Sequence, residues 1–173
     1  IGNKKEEIEY NLNFIDDKLS YEVVLFLNKV LIKFDLINLL KKENVKSKIK
    51  IKGKNSKNTI KIEKISLDAN DIEISADNFE LTNNFKIINF DKIKLNYIDK
   101  YKKKNDLTIS KNREVYIITG KEFDISNLVD EILKSDDDDS FKLFDKKNRI
   151  FKVNFDKNYI DKEHYLVKLK GKF

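Results

Sequence analysis

Between residues 45 and 98 the chain is an almost unbroken alternation of apolar and charged residues. Ile49 and Ile51 alternate with Lys48, Lys50 and Lys52, and Ile60 and Ile62 with Lys61 and Glu63. The pattern continues through Ile65 and Leu67, Ile72 and Ile74, then Phe79 and Leu81. A period of two puts apolar residues on one face of a β-strand and lysines on the other, as in antiparallel strands with one solvated side. Polar clusters at 53–58 and 68–71 mark turns, with weaker turn signals at Asp77-Asn78 and Asn83-Asn84. An antiparallel meander is predicted.

The same reading extends to both ends. Tyr10, Leu12 and Phe14 alternate with Asn11 and Asn13, predicting a first strand with one wet face. Asp16 and Asp17 turn the chain into a second strand over 19–26, where Val23 and Leu25 occupy one face and Val24 and Phe26 the other. With both faces apolar, that strand belongs in the interior of a sheet. Strand is also predicted over 30–34 and 85–95, a charged loop over 97–106, and final strands over 149–155 and 164–171.

The segment 115–134, VYIITGKEFDISNLVDEILK, changes period. Val115, Ile117 and Thr119 alternate with Tyr116 and Ile118 as a strand, which Gly120 is expected to interrupt. Asp124 suits a helix N-cap, since its carboxylate can accept from the free N–H groups that follow and lies at the positive end of the helix dipole. Phe123 and Leu128 fall where a hydrophobic staple forms. Ile125, Leu128, Val129 and Ile132 then make one apolar stripe, predicting a short α-helix docked on the sheet.

Two echoes suggest repetition. Residues 34–40, FDLINLL, match 123–129, FDISNLV, with the two aspartates 89 residues apart; YNLNFIDDKLSYEVVL from Tyr10 resembles FKVNFDKNYIDKEHYLVKL from Phe151. Such self-similarity points to stacked units burying a continuous face, with units starting near 10 and near 90. Chance matches in an alphabet dominated by Lys, Ile, Asn and Asp explain it equally well.

Composition fits an ordered but heavily solvated chain of 173 residues, 38% of them charged. Ile, Leu, Val and Phe form about a third of it, well above the roughly 20% below which chains stay disordered. Four glycines and no proline leave the turns to Asn, Asp and Lys. The net charge of +6 comes almost wholly from lysine, with Arg113 and Arg149 the only arginines. Lysine is the weaker residue for bidentate recognition of phosphates and bases, and these lysines alternate with apolar residues rather than with exposed aromatics. Nucleic acid is not an expected partner. Without cysteine there are neither disulfides nor thiolate metal sites. No apolar run approaches the roughly 18 residues of a membrane helix, and the chain reads as one β-rich piece, 1–173, of a longer protein.

Catalytic chemistry finds little to work with. The sole histidine, His164, excludes a multi-histidine metal site and reads as a surface residue at a strand start. The 136–139 aspartate run lacks the interleaved spacing and glycine of an EF-hand loop, so it reads as a solvated loop. Lys102, Lys103 and Lys104 beside Tyr97 and Tyr101 could form a headgroup patch or a plain solvated turn. The glycines lie too far apart for a phosphate-binding loop. No enzyme activity, cofactor or metal is expected.

The stretch GKEFDISNLVDEIL, a strand ending in Gly followed by Phe-Asp opening a short apolar helix, resembles a recurring segment of the AsmA-like proteins of the Gram-negative envelope. The lead-in over 79–110, with its lysine-rich turn and Asn105-Asp106, is similar to what precedes that segment in the family. The resemblance implies a mainly β fold, an antiparallel meander curled into a groove with one or two short α-helices packed on it. It further implies a non-catalytic role in phospholipid transport between inner and outer membranes, on the periplasmic side of the inner membrane, anchored outside this segment. Phospholipid acyl chains would be the partner. The expected ligand-binding residues are the alternating apolar ones: Ile49, Ile51, Ile60, Ile62, Ile72, Ile74, Ile117 and Phe151. The competing expectation is a closed β-sandwich, a binding or scaffold module of an envelope or surface protein.

Overall fold

The computed structural model describes residues 5–15, 18–56, 59–82, 87–113, 115–127, 150–161 and 163–172. Most of these residues lie in β-strands: β1 (Glu7–Ile15), β2 (Lys18–Phe26), β3 (Ile32–Phe34), β4 (Leu39–Lys41), β5 (Ser47–Ser56), β6 (Thr59–Ala69) and β7 (Ile72–Thr82). They are followed by β8 (Ile87–Asn89), β9 (Lys92–Ile98), β10 (Lys104–Asn112), β11 (Val115–Asp124), β12 (Ile150–Tyr159) and β13 (Tyr165–Lys172). The mainly β, predominantly antiparallel character expected from the alternation is present. Two compact units divide the chain, Ile1–Ile32 with Lys41–Asn96 and Lys33–Leu40 with Tyr97–Phe173.

The first unit is a meander in the order β1-β2-β5-β6-β7-β9, with β8 also paired to β7. β2 is interior, as its two apolar faces predict. Its neighbours β1 and β5 both run antiparallel to it. Two expected turns within this unit differ. β5 runs on to Ser56, through most of the 53–58 cluster, and Asp77-Asn78 lies inside β7 instead of at a turn, opposite the strand β6 that carries Ile60, Ile62, Ile65 and Leu67. The cause of the second is a β-bulge: Lys52 opposes Lys64 while the next residue, Gly53, opposes Ile62, so Glu63 is an extra residue in β6. Asn78 stands across from it in β7, in the left-handed region at φ 53°. A bulge residue flips the side-chain parity of its strand.

In the second unit β10 pairs antiparallel with β11 and β12 with β13, whereas β11 and β12 run parallel. A parallel pair departs from a pure meander and requires a crossover connection. Asp124 Oδ1 accepts from the Ser126 N–H at 3.0 Å, and Ser126 and Asn127 are helical in conformation. Leu128, Val129 and Ile132 of the expected helix and the 136–139 run lie outside the described residues.

Gly120 does not end a strand; it sits within β11. There Asp106 opposes Glu122 and Leu107 opposes Gly120, making Lys121 the extra residue. A Cβ at Gly120 would fall 2.7 Å from Phe155 Cε1 and still nearer the Asp106 carbonyl. The loop expected over 97–106 shrinks to a tight turn, closed by the Lys102 N–H donating to the Asp99 carbonyl, and Asn105 and Asp106 lie in β10.

The echoed segments 34–40 and 123–129 differ locally yet meet within this unit. Asp35 opens a 3-10 helix, Asp35–Ile37, without capping it through its side chain, and Asn38 ends it at φ 55°. Asn127 Nδ2 donates to Asn38 Oδ1 at 2.8 Å, and Asn38 Nδ2 donates to Ser126 Oγ at 3.5 Å.

Candidate functional site

Directly opposed residues on neighbouring strands share a face, so the register assigns the side chains of β1, β2, β5, β6 and β7. One row runs Ile8, Leu25, Ile49, Leu67, Ile74; the next runs Tyr10, Val23, Ile51, Ile65, Ala76. Beyond the bulge come Leu12, Tyr21, Gly53, Ile62, Phe79 and then Phe14, Leu19, Asn55, Ile60, Leu81. A short row of Ser47, Ala69 and Ile72 closes the other end. Ile49, Ile51, Ile60, Ile62, Ile72 and Ile74 therefore lie on one apolar face, while Lys48, Lys50, Lys52, Lys61 and Lys64 lie on the other. The parity switch at Glu63 and Asn78 keeps that face continuous.

This face is not uniformly dry. Ala69, Ile72 and Ala76 are buried, whereas Ile49, Ile51, Ile60, Ile62 and Ile74 are half-buried. At β1 it opens to solvent, with Tyr10 and Phe14 each 69% exposed. Phe79 stacks on the buried Phe90, ring centroids 5.5 Å apart. Near Ile72 a hollow of about 590 Å³ wraps the end of the sheet, with Phe26, Ala69 and Ile72 as apolar lining and Lys46, Lys48, Asp68 and Glu73 among its polar residues.

The tightest point of the face is Gly53. The Tyr21 ring lies over it, and a Cβ there would stand 2.5 Å from Tyr21 Oη. Burial, with Glu63 nearby, raises the Tyr21 pKa. Glu63 pairs with Lys54 at 2.7 Å, and that hydrogen bond holds its carboxyl below the usual range. Behind the face, the buried Lys41 ammonium donates to the carbonyls of Leu27, Asn28 and Val30, fixing the 27–30 loop. Burial lowers its pKa.

Ile117 and Phe151 belong to the second unit and to opposite faces of its sheet. Phe151 opposes Tyr116 and stacks on it at 5.2 Å, while Ile117 opposes Ser110 and Lys152. The face of Tyr116, Ile118 and Phe155 leads to the buried Phe123, a side that strand periodicity alone does not pick out. Asn158 is also buried there, with neither side-chain polar atom hydrogen-bonded.

Of the lysine-rich turn, Lys103 is neither a free headgroup ligand nor solvated. Its ammonium lies 3.1 Å from the fully buried Asp124 carboxylate, donates to the Asp161 carbonyl at 2.6 Å, and sits over the Tyr159 ring. Tyr97 is buried and donates to the Ile37 carbonyl; burial raises its pKa. Asp99 accepts from the N–H groups of Tyr101 and Lys103, yet burial raises its pKa as well. Lys102 and Tyr101 remain exposed.

His164 is exposed and 2.8 Å from Asp161. Asp161 also accepts from the backbone N–H groups of His164 and Glu163, which lower its pKa to about 2. These residues border an open polar hollow of about 400 Å³ with Tyr101, Ser126, Asn127 and Ile160. Its ordered groups are bound to one another as turn and cap. Comparison of the chain with known protein families, with characterised proteins and with solved structures finds no match.

Proposed function

We propose that the apolar face of the first unit holds acyl chains, and that the chain contributes part of a groove for phospholipid transport between membranes, as the AsmA-like proteins it resembles are thought to do. The observation that carries this reading is the incomplete covering of a five-strand apolar face. In a closed sandwich the isoleucines of β5, β6 and β7 would be dry, but most are only half-buried, and at β1 the face is open. Each methylene laid on such a surface gains about 0.8 kcal/mol. The lysine-bearing opposite face keeps the sheet solvated. The corresponding location is the periplasmic side of the inner membrane, with the anchor outside this segment.

Photo-crosslinking side chains at Ile51 and Ile74, with Lys50 on the opposite face as control, test the reading in cells and with purified protein on phospholipid vesicles. Capture of phospholipid at Ile51 and Ile74 but not at Lys50 is expected. Equal background labelling at all three positions would favour the scaffold module instead.

A further inference from the structure

β1 presents an unguarded edge. Among the described residues it pairs only with β2, and all nine of its residues are exposed. Edge strands are normally protected by charged side chains, lysine above all, by proline, by bulges or by brevity, and the charges of β1 are Glu7 and Glu9, both toward one end. β13, at the end of the second unit's strand order, shows such protection: Lys168 interrupts its ladder at φ 55°, and Lys170 and Lys172 follow. β1 has no lysine, no proline and an unbroken register from Glu7 to Ile15. Ile8, Tyr10, Leu12 and Phe14 project from one side of it, each at least 55% exposed.

We infer that β1 pairs with β1 of a second copy of this chain, antiparallel and with Asn11 at the two-fold axis. The sequence of the strand selects this register. Centred on Asn11, Ile8 opposes Phe14, Tyr10 opposes Leu12, Glu9 opposes Asn13 and Glu7 opposes Ile15, so every residue from 7 to 15 pairs and no like charges meet. A shift of the axis to Tyr10 sets Phe14 against Glu6, and a shift to Leu12 sets Ile8 against Asp16. The isologous pairing also satisfies the free N–H and C=O groups of both edges. It deepens the acyl-binding proposal and rests on it for its consequence: the two apolar faces become one, with Tyr10 and Phe14 flanked on both sides.

The absence of native cysteine makes the register directly testable. Opposed residues in an antiparallel pair have Cα atoms about 4.5–5.5 Å apart, within disulfide range. Asn11→Cys should therefore oxidise to a covalent dimer. Glu7→Cys, roughly 27 Å from its counterpart at about 3.4 Å per residue, should not. Light scattering of the unmodified chain should show its mass rising with concentration toward twice 20.5 kDa, and Leu12→Lys should hold it at 20.5 kDa. A mass fixed at 20.5 kDa, or equal cross-linking of the two cysteine variants, would overturn the pairing. Ile51 and Ile74 lie away from the edge, so a monomer that still captures phospholipid refutes the pairing alone, and a dimer that captures none refutes the transport reading alone.

Discussion

Replacing Asp124 by alanine should destabilise the second unit more than any surface change. Its carboxylate is fully buried and the partnering Lys103 side chain is only 11% exposed, so neither charge has water to fall back on. Removing one member of a buried pair costs about 3–5 kcal/mol because the other charge stays buried, and losing the cap on the Ser126 N–H adds about 1 kcal/mol. Against a total stability of about 5–15 kcal/mol, that is a large share. With a urea slope near 2 kcal/mol per molar, the unfolding midpoint should fall by about 2–3 M, with exchange of the β10 and β11 amides accelerating in parallel. Lys103→Met in the Asp124→Ala background should recover part of the loss, since it removes the orphaned ammonium. A loss below about 1 kcal/mol, as for an exposed pair, or a double variant less stable than both single variants, would refute the reasoning.

Lys41→Met removes the ammonium from the carbonyls of Leu27, Asn28 and Val30, of which Leu27 keeps the Ser47 hydroxyl as donor, and should cost about 1–3 kcal/mol, with hydrogen exchange rising first over 27–30. Gly53→Ala drives a methyl group against the Lys61 backbone carbonyl and the Tyr21 ring and should cost about 1–3 kcal/mol; the raised Tyr21 pKa should fall toward 10.0 in ultraviolet titration as the ring is displaced. Asp99 has its pKa raised by burial, so above 3.8 the folded chain still holds a proton that the unfolded chain has released. Stability should therefore fall as pH rises from 3.8 through the raised value, and Asp99→Asn should flatten that slope and be the more stable form at neutral pH, measured by urea denaturation across the pH range.

The strand content was legible because Ile and Lys alternate so regularly in β5, and that alternation pairs Ile49 with Ile51, Ile60 with Ile62 and Ile72 with Ile74; the register puts the three pairs on one face. Strand length was not, because a bulge looks like a phase break: at Asn78 the apolar parity flips, and a local reading takes the flip for a turn. Gly120 misled similarly. Its lack of a side chain answers the approach of the Asp106 carbonyl and the Phe155 ring, not a break in the strand. The parallel pairing of β11 and β12 depends on a contact distant in sequence and leaves no periodic trace. Asp124 was legible as a cap, since the donor lies two residues away, but its ion pair with Lys103 needed the turn that brings the two together. Ile117 and Phe151 fit the alternation as well as the other six do; period two cannot say which side of a strand is occupied.

The matched bulges at Glu63 and Asn78 constrain how these strands can change length. Deleting Glu63 alone would keep β6 in phase with β5 and leave Asn78 as the extra residue of a bulge against β6, the arrangement Glu63 now makes against β5. Deleting both would restore a plain ladder with the same oily side. A one-residue deletion at either bulge should thus move the interruption from one strand pair to the next and leave the oily side facing the same way, whereas a deletion elsewhere in these strands, where no spare residue exists, turns the rest of that strand over.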